Sequence, residues 1–321
     1  MRTSSPTTRR LEPRAPKARP GHADEAMPDP VAIKRRLLQE RLRRAEALAA
    51  RLQVLPDGRR VFLRFDLATR IQHLVLMLSF ITLAITGLLQ RFSPWEPVAW
   101  VVNALGGGEA LRVVHRLAAL ASMAVSFYHA WVILETWFVR REKGAMWPRW
   151  QDFRNLVHTV KYNLGLAPSR PLHDRFAIEE KMEYWALLWG QVLMGATGLV
   201  MWFPVLATQV LPGETIPVAR ALHGWEAVLA VLAILTWHLY HTMIRTRNWS
   251  IFTGYMTEEE MQEEHPLEYR RILAAHRLVQ RLRRELAALE QGPPPEPPAS
   301  ASPPPSAAPR RVPVRPTVGA D

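Results

Sequence analysis

The sequence predicts an all-α membrane protein: a four-transmembrane-helix bundle built from two repeated helical hairpins, with cytoplasmic helical extensions and disordered tails. Three observations carry that expectation. Residues 71–89, 113–139, 182–206 and 218–244 are nearly free of charge, and each approaches or exceeds the roughly 20 residues that span hydrocarbon as a helix. Most of the 41 Lys and Arg and the 27 prolines lie outside those stretches. The first and third stretches also align with each other without a gap. A mean hydropathy near zero therefore averages an apolar membrane core with polar ends.

Taken in order, residues 1–60 form an Arg-rich cytoplasmic tail. Its first 30 residues are rich in Pro, Arg and Ser and read as disordered. Residues 32–54 place Leu and Ala at helical spacing among many Arg, predicting a basic helix that lies on a surface or binds a partner. No apolar core precedes a small-residue cleavage site, so the first span serves as the membrane-entry signal. Residues 61–250 hold the four spans. Residues 251–291 carry charges and leucines that predict a cytoplasmic helical extension, and 292–321 is a Pro-rich tail with eleven prolines.

Sixteen Lys and Arg precede Asp66 and nine lie within 140–181, against Arg91 and Arg112 between spans one and two and Arg220 between spans three and four. The positive-inside rule then puts both termini and the central loop in the cytoplasm. Trp95, Trp100, Trp137, Trp147, Trp202 and Trp249 flank the spans as interfacial aromatics. The net charge of +12 sits beside spans, which points to anionic lipid headgroups and away from nucleic acid. The absence of cysteine excludes disulfides, thiolate metal sites, iron-sulfur clusters and haem attached through C-x-x-C-H. Metal chemistry in this chain must use His or carboxylates.

The repeat locates the candidate site. The run from Arg70 to Leu88 aligns on that from Lys181 to Leu199, with Thr86-Gly87-Leu88 on Thr197-Gly198-Leu199 and His73 on Tyr184. Spans two and four each open with a His (His115, His223) and carry another fourteen or fifteen residues later (His129, His238). Fourteen helical residues turn through about 1400°, within about 40° of four full turns, and climb roughly 21 Å. Each span thus offers imidazoles on one face at two depths; His241 adds a sixth intramembrane or boundary histidine. Neutral imidazole is a strong axial ligand for ferrous and ferric iron alike, so two facing helices of this kind can hold two stacked bis-His haems. The alternative is a non-redox membrane anchor or a His-based metal transporter. Transport sites usually add carboxylates, Cys or Met, whereas span two has no acid between its histidines and span four has only Glu226.

These residues resemble the di-haem cytochrome b subunits of bacterial respiratory complexes, the group of the formate dehydrogenase gamma subunit and the cytochrome b subunits of nickel-iron hydrogenase and thiosulfate reductase. The matching pieces are Arg70-Ile71-Gln72-His73, His115-Arg116 with Tyr128-His129, Lys181-Met182-Glu183-Tyr184-Trp185 with Thr197-Gly198-Leu199, Trp202-Phe203-Pro204, and His223-Gly224-Trp225 with Trp237-His238. The segment from Phe252 to Tyr269 resembles a branch partnered with multihaem c-type cytochromes. The resemblance covers residues 62–276.

It implies two haem b groups, an outer one on His115 and His223 and an inner one on His73 and His238. Depth agrees for the outer pair, since each lies three residues after a boundary arginine, Arg112 or Arg220. For the inner pair, depth counted from the boundary arginines sets His73 nearest His241 and lets His129 reach His238, so His129 and His241 stand as substitutes. The resemblance further implies an electron-transfer subunit of an oxidoreductase complex in the bacterial inner membrane, working between the quinone pool and a partner. That partner is a multihaem cytochrome c or an iron-sulfur or dehydrogenase subunit, docked on the short, nearly uncharged outer loops. Arg70, Gln72, Glu183 and Tyr184 are candidate quinone contacts; the plainer reading makes Arg70 and Lys181 interfacial anchors and Tyr184-Trp185 part of an aromatic belt. Gly87, Gly195 and Gly198 can admit a porphyrin edge or pack helices closely. His22, His158, His173, His265 and His276 fall outside the spans and are expected to be solvated.

Overall fold

The computed structural model describes residues 29–139, 141 and 144–291, so the expectations for the two terminal tails fall outside the described residues. Helix α1 (Pro30–Ala49) leads into strands β1 (Leu52–Val54) and β2 (Arg60–Leu63). The first hairpin of the bundle is α2 (Leu67–Arg91), a short α3 (Glu96–Ala104) and α4 (Gly107–Phe138). Helix α5 (Trp150–Asn163) links it to the second, α6 (Ile178–Trp202), α7 (Pro204–Val210) and α8 (Thr215–Arg245). Then follow α9 (Ser250–Thr253), β3 (Tyr255–Thr257), α10 (Glu258–Glu264) and α11 (Pro266–Gln291). Residues 42–281 form one compact unit; residues 29–41 and 282–291 belong to a second, in which Leu38 and Leu282 are buried.

Helices α2, α4, α6 and α8 are each long and apolar enough to cross a membrane, as the sequence predicts. Local chemistry sets their ends. The Asp66 carboxylate accepts the Thr69 N–H at 2.7 Å and caps α2. Pro204 stops α6 at Trp202, four residues before the expected end of the third span, because proline cannot donate to the preceding turn. Phe127, Trp131, Trp189 and Leu229 are exposed on the bundle's exterior, where lipid replaces water as the solvent. The side chains buried within the spans are mostly small, Ala118 and Ala219 beside four hydroxyls, Ser79, Thr86, Ser122 and Thr197. Gln191 donates to Ser122 Oγ at 2.9 Å, joining α4 to α6.

The all-α expectation omitted a small antiparallel sheet of order β1-β2-β3, with Leu52 opposite Phe62 and Phe62 opposite Met256. The expected basic helix over 32–54 ends at Ala49, and its last residues pair as β1. The Pro56-Asp57-Gly58 turn explains the switch. Gly58 adopts φ 83°, and the Asp57 carboxylate accepts the Arg59 N–H at 3.0 Å, closing a hairpin. Phe62, Met256, Met261 and Ile272 form the core of this small module, with Leu48, Leu52 and Tyr269 against it.

A buried arginine joins the module to the bundle. Arg64, directly after β2, meets Glu180 of α6 at 2.9 Å and Glu268 of α11 at 3.4 Å, and donates to the Arg175 carbonyl oxygen. Arg51 reaches the same Glu268 at 2.7 Å. Lys181, expected as an interfacial anchor, is instead buried and paired with Asp152 of α5 at 2.8 Å. His265, expected in solvent, is 3% exposed, and its Nδ1 donates to the Asp174 carbonyl oxygen at 2.8 Å. His158 and His173 are half-buried, and only His276 of the described set is exposed.

Two predictions follow from these buried charges. Glu268→Ala strands Arg64 and Arg51 without their shared carboxylate, and breaking such a pair costs about 3–5 kcal/mol; amide exchange in β2 and α11 should accelerate accordingly. Burial, then the charge of Arg64, pushes His265 down to about 3 from 6.5. The unfolded chain therefore protonates first, so this contribution to stability is complete above pH 6.5 and declines as pH falls toward about 3. Exchange measured between pH 7 and pH 4 should show that decline, and His265→Gln should flatten it.

Candidate functional site

The bundle is two close-packed hairpins, α2 on α4 and α6 on α8, and the candidate imidazoles meet across the division between them. At the outer level His115 of α4 faces His223 of α8 with ring centroids 6.3 Å apart. At the inner level His73 of α2 faces His238 of α8, also at 6.3 Å. Tyr184 of α6 faces His129 of α4 at 5.8 Å. The three pairs obey the sequence repeat: His73 and Tyr184 are equivalent, and so are their partners His238 and His129.

Each span-two and span-four imidazole is held at Nδ1 from inside its own hairpin. Thr86 Oγ1 lies 2.8 Å from His115 Nδ1, and Thr197 Oγ1 lies 2.9 Å from His223 Nδ1. Each hydroxyl has one proton and gives it to the carbonyl four residues back, Thr82 at 2.7 Å and Leu193 at 2.6 Å. The oxygen can then only accept, so Nδ1 carries the hydrogen and Nε2 keeps its lone pair. The glycine after each threonine makes room: a Cβ on Gly87 would lie 3.2 Å from His115 Cε1, and one on Gly198 would lie 3.4 Å from His223 Cε1. These two glycines abut imidazoles, while Gly195 faces open space.

The inner level repeats the device with amide and acid. Gln72 Oε1 lies 3.0 Å from His129 Nδ1, and the repeat-equivalent Glu183 Oε2 lies 2.8 Å from His238 Nδ1. The other nitrogen distinguishes the two histidines. His129 Nε2 accepts from the Tyr184 hydroxyl at 3.0 Å, which occupies both of its nitrogens. His238 makes its hydrogen bond at Nδ1, and its ring faces His73.

A backbone feature explains why His238 falls fifteen residues after His223 when His129 falls fourteen after His115. From Ile234 to His238 the helix is π-helical, with the Leu239 N–H bonded to the Ile234 carbonyl. Such a turn absorbs one extra residue and brings the fifteenth to the face an α-helix gives the fourteenth. A second π segment, Tyr240–Arg245, follows. His241 lies there against Trp237, with its Nδ1 2.9 Å from the Trp237 carbonyl oxygen.

Whether these residues fit haem iron can be tested on spacing and donor state. Two imidazoles bound on opposite sides of one metal through nitrogens about 2 Å from it have ring centroids about 6 Å apart. Both cross-hairpin His pairs meet that spacing. His115, His223 and His238 are anchored at Nδ1, the arrangement that fixes tautomer and orientation in metal-ligating histidines. The donor set fits.

The four candidate quinone contacts separate into three environments: Gln72 and Tyr184 on His129, Glu183 on His238, and Arg70 donating to the Phe252 carbonyl oxygen. Thr86 and Thr197 were visible only as a repeated tripeptide. Their equivalence in the repeat is the signal that marks them, since their offsets from His115 and His223 differ, 29 and 26 residues.

Residues 64–254 match the family model of prokaryotic cytochrome b561. The chain is 24% identical over 227 residues to the formate dehydrogenase cytochrome b556(fdo) subunit of Escherichia coli K12, covering 67% of this chain and 94% of that protein. It is 24% identical over 230 residues to the formate dehydrogenase cytochrome b556 subunit of Haemophilus influenzae, covering 69% and 87%.

The threonine anchors give a graded expectation. Thr86→Ser keeps the acceptor and should be nearly neutral. Thr86→Val leaves a part-buried Nδ1–H unpaired, which costs about 1–3 kcal/mol, and Thr197→Val should do the same for His223. Thermal unfolding of the detergent-solubilised protein, followed by near-ultraviolet circular dichroism, reads the difference.

Proposed function

The chain belongs to the prokaryotic cytochrome b561 family, and from that premise we propose that it carries two b-type haems, the outer held by His115 and His223 and the inner by His73 and His238, and transfers electrons between membrane quinone and a partner redox subunit. It is a multi-pass bacterial membrane cytochrome b, an electron-transfer subunit that binds haem b. The carrying observation for the ligands is the common 6.3 Å spacing of two imidazole pairs, beside a third inner histidine whose nitrogens are both engaged.

Bound haem supplies reversible one-electron storage on its iron. The protein's part is to prepare the ligands. Thr86 and Thr197 keep the Nε2 lone pairs of His115 and His223 available without a deprotonation at neutral pH. Glu183 places a carboxylate on the Nδ1 side of His238, a partner that orients that imidazole and strengthens it as a ligand. The outer pair, anchored by neutral hydroxyls, lacks such a carboxylate, so the two levels differ in donor strength.

Quinone is assigned to the inner level. A cleft beside His73 is lined by Leu67, Arg70, Ile71, Leu74 and Phe252, of which Leu67, Ile71 and Leu74 are exposed. The Tyr184–His129–Gln72 chain and Glu183 provide hydrogen-bonding groups nearby. The partner is assigned to the outer end, where Trp95 just before α3, Trp100 on α3, and Val205 and Val210 on α7 are exposed. The names of the relatives support a dehydrogenase subunit as that partner. With both cation-rich extensions on the other side, the termini lie in the cytoplasm.

Ligand substitution tests the reading. His115→Ala and His223→Ala should each remove about half the haem and leave one potentiometric wave, because a site with one imidazole rarely retains low-spin iron. His73→Ala should also lose one haem, while His129→Ala keeps both. Full haem in either outer variant, or loss in His129→Ala with retention in His73→Ala, rejects the assignment.

A further inference from the structure

Helix α5, in the loop between spans two and three, is amphipathic in a way the bundle does not use. Trp150, Phe153, Val157, Val160 and Leu164 recur at intervals of three and four residues and all point outward, with exposures of 70%, 53%, 41%, 49% and 67%. At 100° per residue these five fall within an arc of about 80°. Cations border the arc on both sides, Arg149 on one edge, Arg154 and Lys161 on the other. The opposite face carries Gln151, Asn155, Thr159 and Asn163. Its one acid, Asp152, is buried against Lys181.

We propose that α5 lies in the headgroup region of the membrane and docks its Trp150–Leu164 stripe on an anionic phospholipid surface. Three features favour lipid over a protein partner. The Asp152–Lys181 ion pair ties the first turn of α5 to the first turn of a membrane span, and Trp147 packs between Trp137 of α4 and Trp185 of α6, so the helix is continuous with the lipid-facing surface. An apolar stripe flanked by basic residues fits a bilayer interface, because the aliphatic stems follow the acyl chains while the charges rise to phosphates. Each such cation is drawn to the negative surface of an anionic leaflet. The proposal rests on the membrane spans alone and is independent of which histidines hold haem.

The chain has no cysteine, so single labels are unambiguous. Nitroxides at Val157→Cys and Val160→Cys, and at Asn155→Cys and Thr159→Cys, would be read in nanodiscs of phosphatidylcholine with phosphatidylglycerol. The stripe positions should collide readily with oxygen and be shielded from a water-soluble nickel chelate, with the reverse at Asn155 and Thr159. Combining Arg149→Gln, Arg154→Gln and Lys161→Gln, or omitting phosphatidylglycerol, should raise nickel collision at Val157 severalfold. The haem absorption spectrum would verify that each variant folds. Equal nickel access on both faces overturns the proposal, as does shielding of the stripe from oxygen and nickel together, which marks a protein occupant. Insensitivity to both charge changes overturns the anionic-lipid assignment.

Discussion

The hydrogen bond that each hairpin makes to the Nδ1 of its own histidine is the constraint on which the bundle's chemistry depends. An imidazole inside a membrane must satisfy one nitrogen and can offer only the other, so whatever fixes Nδ1 decides where Nε2 is available. Thr86, Thr197, Gln72 and Glu183 do this four times, each from the odd-numbered span to its neighbour. Every anchoring contact is within a hairpin and every facing contact is between hairpins. Each hairpin thus arrives with its two anchored imidazoles oriented, His115 and His129 in the first and His223 and His238 in the second, and docking the two halves completes the site.

The duplicated plan is broken at two adjacent positions in the inner level. Where the first hairpin has His73, the second has Tyr184, and the residue it faces is His129. A phenol donates to imidazole, so the pair closes into a hydrogen bond at 3.0 Å, while the equivalent His73–His238 pair stays apart at a metal-bridging separation. The neighbouring Gln72-to-Glu183 exchange follows the same division. A neutral amide serves the histidine that is locked, and a carboxylate serves the histidine proposed as a ligand.

The module built on β1, β2, β3 and α11 holds the same end of the bundle through Arg64. Its Arg64 binds carboxylates from α6 and α11 at once, and its Gly254, at φ 91°, brings a backbone carbonyl to the Arg64 and Phe65 N–H groups at 2.8 and 3.2 Å. A side chain at Gly254 would meet the Phe65 carbonyl oxygen at 3.1 Å. The first turn of α2 is therefore set by both bilayer and sheet, which fixes the depth of His73.

Span number, hairpin repeat and the histidines' shared faces were determined by the sequence itself, because hydrocarbon thickness and the 3.6-residue period translate directly into apolar length and residue spacing. The family resemblance on Arg70–His73, His115, Thr197-Gly198 and His223 came from the same local patterns. What residue spacing could not resolve was the inner level, since a count of depth set His73 beside His241. The π turn at Ile234–His238 changes the phase of α8 by one residue, and no propensity marks it in advance. Burial was equally hidden: Lys181 and His265 read as surface residues until distant partners, Asp152 and the Asp174 carbonyl, met them. The three-stranded sheet depends on pairing residues some two hundred positions apart, and only the tertiary structure decides such a contact, because its energy lies in neither segment alone.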